Sequence, residues 1–98
     1  MTLDDLLHDI HGLEEEMRTY ERKYGIRTET FYEAYANGEE PADDAWVRDW
    51  AAWASAYKIC MRLRQEYDET ILRLRAENHS VTALMVKTAR HEPIPVAA

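Results

Sequence analysis

The chain has 98 residues, 46% hydrophobic and 32% charged, with a net charge of −7 and a single cysteine. That length allows one domain with a modest core, and one cysteine excludes an intramolecular disulfide framework. No run approaches the roughly 20 apolar residues of a membrane span, and Asp4 and Asp5 stand where a signal peptide would carry positive charge, so a cytoplasmic protein is expected. Charge is placed unevenly. Residues 1–44 hold thirteen Asp/Glu against four Lys/Arg, whereas residues 45–98 hold six against eight. Neither arm has the coherent basic face of a nucleic-acid or membrane binder. The pattern suits a protein that meets a basic partner surface or pairs its own two arms.

A first apolar seam runs Leu3, Leu6, Ile10, Leu13, Met17, Tyr20, Tyr24 in alternating steps of three and four. An average spacing of about 3.5 keeps one narrow stripe of a helix facing another helix. Thr2 with Asp5 resembles a capping box, and Gly25 can take the left-handed conformation past the last turn, letting Ile26 fold back onto Tyr20. A helix over 3–24 follows. Next comes a short helix over 28–37, capped by Thr28 or Thr30 and closed at Asn37-Gly38, with Phe31, Tyr32 and Tyr35 on one aromatic face.

After the turn at 38–41, Asp43 or Asp44 caps a second long helix. Its seam runs Trp46, Trp50, Trp53, Tyr57, Cys60, then Arg64 as an intruder, then Tyr67, Ile71, Leu74, Asn78, Val81 and Met85. The pattern predicts a helix over 44–77, with a continuation to 90 left open, because residues 81–88 also suit an added strand. Arg64 and Asn78 are candidates for fixing register, Asn78 equally for ending the helix. Residues 91–98 read as a flexible tail. The fold expected is all-α: a single domain over 1–90, an antiparallel helical hairpin with coiled-coil-like seams and a short connecting aromatic helix. At 1.5 Å per residue the second long helix, roughly 51 Å, overhangs the first, roughly 33 Å.

Candidate chemistry is sparse. Trp46, Trp50, Trp53 and Tyr57 form a ladder that is either a stacking platform for bases or, with few cations nearby, core packed on the first helix and the short aromatic element. His8 and His11 lie one turn apart near Asp4 and Glu15, but no facing ligands complete a metal site. No cofactor is called for. Arg73 and His79 match the spacing of the Arg-x(4–6)-His pair of the HEPN family of small helical RNases, with Leu74 where that family usually has a polar residue. The resemblance is one short spacing; it implies an RNase reading kept as an alternative.

The stretch 13–63 carries Glu21-Arg22-Lys23-Tyr24-Gly25, then Thr28-Glu29-Thr30-Phe31-Tyr32, an acidic turn with Gly38, and Trp50-Ala51-Ala52-Trp53-Ala54-Ser55-Ala56-Tyr57. It resembles small helical antitoxin-like proteins of bacterial and archaeal toxin–antitoxin modules. The resemblance implies a non-enzymatic protein that binds and silences a cognate toxin. The overhang residues Tyr67, Ile71, Leu74, Val81, Leu84 and Met85, bordered by Arg62, Arg73, Arg75, Lys87 and Arg90, are the expected partner-binding surface. A protein partner and a homo-oligomer are both expected, with a self-assembling coiled-coil subunit as a further alternative.

Overall fold

The computed structural model describes residues 1–96, and four α-helices carry it: α1 Leu3–Tyr24, α2 Thr28–Ala36, α3 Val47–Ala76 and α4 Val81–Ala89. A 3-10 turn, Asp44–Trp46, leads into α3, with the Asp43 carboxylate accepting from the Ala45 N–H at 2.9 Å. The fold is all-helical, and α1 packs antiparallel against α3: the end of α1 meets the start of α3, and the start of α1 meets its end. Every seam residue of α1 is buried or half-buried. On α3 the seam is broken only at Arg64, which is exposed and so sets no register within the core.

The helix ends follow from local chemistry. At the start of α1 the Thr2 N–H donates to Asp5 Oδ2 at 3.0 Å and the Asp5 N–H donates to Thr2 Oγ1 at 3.2 Å, a reciprocal capping box. Gly25 (φ 79°) closes α1 with its N–H on the Glu21 carbonyl. Asn78 (φ 68°) ends α3 in the same backbone region: its N–H reaches the Arg75 carbonyl and the His79 N–H reaches Leu74, the paired bonds of a Schellman cap. Asn78 is therefore a stop rather than a register residue. Ser80 then starts α4 by accepting from the Ala83 N–H at 3.0 Å. Residues 44–90 form two helices divided at 77–80, and 81–89 is helix, not strand.

The chain forms two compact units, one from His11–Met61 and one from Met1–Ile10 with the chain from Arg62 onward, where a single domain was expected. In the His11–Met61 unit, Trp53, Phe31, Thr28 and Cys60 are buried where α2 and the adjoining stretches of α1 and α3 meet. The other unit is built on Leu3, Leu74, Leu84 and Ile94, with Tyr67 and Ile71 packed against them.

Three expectations are corrected. Ile26 is exposed and does not bury itself against the end of α1. Neither Thr28 nor Thr30 caps α2; Arg27 stands at the cap position without a side-chain bond, and the Glu21 carboxylate from α1 supplies the acceptor instead. The tail is not loose: Ile94 and Val96 are buried, the Leu3 N–H donates to the Ile94 carbonyl at 2.8 Å, and Thr2 faces Pro95 in an isolated antiparallel bridge. Residues 97–98 of the expected tail lie outside the described residues.

Candidate protein-binding surface

The aromatic ladder is spent on itself and its neighbours. Trp53 lies parallel to Phe31 with ring centroids 3.9 Å apart and stacks on Tyr20 and Tyr24 at 5.7 and 5.8 Å. Trp50 meets Phe31 edge-on at 5.2 Å, Trp46 meets Tyr24 edge-on at 5.6 Å, and Tyr57 lies 4.6 Å from Tyr32. Trp53 is fully buried, while Trp46, Trp50 and Tyr57 are half-buried at the margin. Trp53 is core, and the rings of Trp46, Trp50 and Tyr57 pack on their neighbours at its edge.

A polar chain that the sequence reading missed runs through this core. Trp53 Nε1 donates to Thr28 Oγ1 at 2.9 Å, and Thr28 donates both its hydroxyl and its backbone N–H to Glu21 Oε2, at 2.9 and 2.8 Å. The Thr28 hydroxyl thus accepts and donates at once, giving the buried indole N–H a partner. The carboxylate also sits at the N-terminus of α2, where the helix dipole favours negative charge. Glu21 reads from sequence as one more acid on a wet face. The links span 7 and 25 residues, so no periodic signal marks them.

Beside this chain Lys23 Nζ and the Tyr24 hydroxyl both donate to Asp49 Oδ2, each at 2.6 Å. The bond from Lys23, then that from Tyr24, holds the Asp49 carboxyl below its ordinary range. The same contact raises the Lys23 ammonium, and burial first, then the bond to Asp49, raises the Tyr24 phenol. These groups tie α1 to the first turn of α3, and their roles are structural.

The six expected partner-binding residues divide into two sets. Leu74 and Leu84 are buried with Leu3 and Ile94, and Tyr67 and Ile71, half-buried, pack against that cluster. The overhang expected from the helix lengths is covered within the chain, because the stop at Asn78 lets α4 and the tail fold back over it. Val81 and Met85 remain outside, 47% and 65% exposed, joined by Val86 at 40%. Of the four large apolar side chains on α4, only Leu84 faces the core. Leu72 on α3 is also exposed.

Other candidates are placed as follows. Arg73 directs Nη2 to the carbonyls of Val96 and Pro95, at 3.0 and 3.3 Å, and Nη1 to Glu77 at 3.4 Å. That commits the guanidinium to holding the tail, while His79 lies half-buried at the α3 cap. His8 and His11 are exposed, and no group of three or more metal-ligating side chains gathers among the described residues. An open cleft of about 480 Å³ lies between the first turns of α1, at Thr2, Leu3 and Leu7, and the end of α4 with residues 92–96, the strap, beyond it, at Thr88 and Ile94. No helix among the described residues is long and apolar enough to cross a membrane. No family model, curated protein or solved structure matches the chain.

Proposed function

We propose that this chain is a non-enzymatic protein-binding module of the antitoxin-like kind, which meets a cognate protein through the outward face of α4 and the acidic first turns of α1. The observation that carries the reading is the polarity of α4. A nine-residue helix that buries Leu84 leaves Val81, Met85 and Val86 47%, 65% and 40% exposed, an apolar face only partly covered by its own unit. Lys87 and Arg90 lie on the same helix or at its end, and Asp4, Asp5 and Asp9 on the first turns of α1. A partner with an apolar centre and charged ground around it would complement this set, the apolar residues giving affinity and the charges orientation. Compared with the surface expected from sequence, this one keeps Val81 and Met85, adds Val86, and leaves out the buried Leu74 and Leu84 with the half-buried Tyr67 and Ile71.

The test is co-expression with the product of the neighbouring gene, followed by purification through a tag on that product. The natural chain should co-purify in fixed stoichiometry, and a Val81→Asp/Met85→Asp chain should fail to, while retaining the helical circular-dichroism signal and melting temperature of the natural protein. Undiminished co-purification of the double variant would place the interface elsewhere.

A further inference from the structure

We propose that the cleft between the start of α1 and the end of α4 binds a small amphipathic amine, an alkyl chain ending in an ammonium group. The Asp4 and Glu92 carboxylates take the ammonium, and the alkyl chain lies along Leu7 and Pro93. The site uses none of Val81, Met85 and Val86, so it and the protein-binding face of α4 stand or fall separately.

The cleft holds about 480 Å³, within the roughly 300–1,000 Å³ of small-molecule sites. All of its lining belongs to the unit of Met1–Ile10 with Arg62 onward. Two of the lining residues are fixed by the fold itself. Leu3 and Ile94 are buried in the aliphatic cluster, and the Leu3 N–H donates to the Ile94 carbonyl at 2.8 Å. A wall held in this way is largely ordered before a ligand arrives, which lowers the entropy lost on binding. Leu7 is half-buried and Pro93 is exposed, so apolar surface remains for an alkyl chain to cover.

The sign of the ligand's charge follows from which polar groups are already spent. A helix N-terminus ordinarily attracts anions, but the donors at the start of α1 are taken. The Leu3 N–H goes to the Ile94 carbonyl, the Asp5 N–H to Thr2 Oγ1 and the Leu6 N–H to the Thr2 carbonyl. Asp5 in turn accepts from the Thr2 N–H, so Asp5 is the acid that completes the cap and Asp4 is spare. Glu92 is spare as well: among the described residues neither carboxylate has a hydrogen bond or ion pair. His91 is the one basic side chain among the lining residues, and no lysine or arginine joins it. The C-terminal end of α4, the negative end of its dipole, meets the cleft at Thr88 and His91. An anion would therefore meet two unpaired carboxylates and few donors, whereas a cation meets favourable charge. A bare divalent ion is a poorer fit than an amine, because it asks for six or more oxygens, and here two carboxylates share the walls with apolar side chains.

The experiment titrates the isotopically labelled full-length protein with hexylammonium, methylammonium and hexanoate at constant ionic strength, following amide chemical shifts. Hexylammonium should shift the amides of Asp4, Leu7, Glu92 and Ile94 to saturation, with a dissociation constant of about 1 mM for so small a ligand. Methylammonium, which lacks the chain, should bind at least about tenfold more weakly, and hexanoate should leave these amides unmoved. An Asp4→Asn/Glu92→Gln chain should keep the natural spectrum away from the cleft and lose about tenfold or more in affinity for hexylammonium. Shifts that stay linear with hexylammonium to tens of millimolar would overturn the proposal. So would equal binding of hexanoate or methylammonium, or undiminished binding by the double variant. The ligand comparisons are made on the natural protein, so they decide the matter even if the variant fails to fold.

Discussion

The His11–Met61 unit holds nine of the ten aromatic side chains; the unit of Met1–Ile10 with Arg62 onward holds only Tyr67. The first is stabilised by a stack of rings around Trp53 and by a hydrogen-bond chain that runs from the Trp53 indole through Thr28 to the Glu21 carboxylate. The second is stabilised by buried aliphatic side chains, among them the Leu3, Leu74, Leu84 and Ile94 cluster, and by a strap held through two backbone bonds and one guanidinium. Large rings concentrate burial energy in few residues, so a unit made of them has little that can be released without opening its core. A unit closed by a short strap can open locally at modest cost. The proposed binding surface, the outward face of α4, falls in the second unit. The comparison thus separates a unit built on stacked rings from one closed by a strap.

The largest effect that would sharpen this contrast is expected at Trp53. Its removal as Trp53→Ala takes away the ring between Phe31 and Tyr24 and leaves the Thr28 hydroxyl without the indole donor. Large-to-small changes at buried aromatic positions cost about 3–5 kcal/mol, a large share of the whole stability of a small domain. Chemical denaturation should show the variant largely unfolded at room temperature. A melting temperature within a few degrees of the natural protein would mean that the ring stack does not carry the unit.

A smaller effect is expected at Ile94. Ile94→Ala should cost about 2 kcal/mol, the low end of the range for large aliphatic truncation, because only four buried side chains form the cluster and the strap can let go. Amide hydrogen exchange should quicken at Leu3 and Val96 while the amides around Phe31 and Trp53 keep their protection. Equal loss of protection at both sets would break the comparison, since the strap would then be as integral to the fold as the rings.

How far the sequence foretold this division depends on the range of each interaction. The α1 and α3 seams were legible because side-chain periodicity is a local property, and the Thr2–Asp5 box and the Gly25 and Gly38 stops were legible because each involves residues a few positions apart. Asn78 was ambiguous, since asparagine takes the left-handed conformation less often than glycine and also serves at polar seam positions. The helix expected over 44–77 agrees with α3; what stayed open was the course of the chain past Asn78, and so the fold-back of α4 and the tail that covers the overhang. The strap escaped notice because its contacts lie more than 90 residues apart, from Leu3 to Ile94, and because a segment with two prolines reads as loose. Glu21 escaped for the same reason: its partners are set by how α2 turns back, not by any pattern along α1.

The smallest expected effect concerns the contact of Lys23, Tyr24 and Asp49 in the aromatic unit. The bonds from Lys23 and Tyr24 depress the Asp49 carboxyl in the folded chain, so its contribution is present above the unfolded carboxylate pKa, about 3.9, and is lost as pH falls through the lower folded value. Lys23 and Tyr24 are shifted up, so their contribution is present below their unfolded values, about 10.4 and 10, and is lost as pH rises past them. Melting temperature against pH should therefore fall at both ends. Asp49→Asn should melt lower at neutral pH, and its acid limb should be shallower than that of the natural protein. It should not be flat, because Asp5 is depressed by its bonds to Thr2 and Glu15 by its bond to Arg18, and both remain. These groups lie near solvent, where salt screens them, so the difference between the two proteins should shrink at high ionic strength. Parallel acid limbs would show that the contact adds nothing to the unit, leaving the rings and the Glu21–Thr28–Trp53 chain to hold it alone.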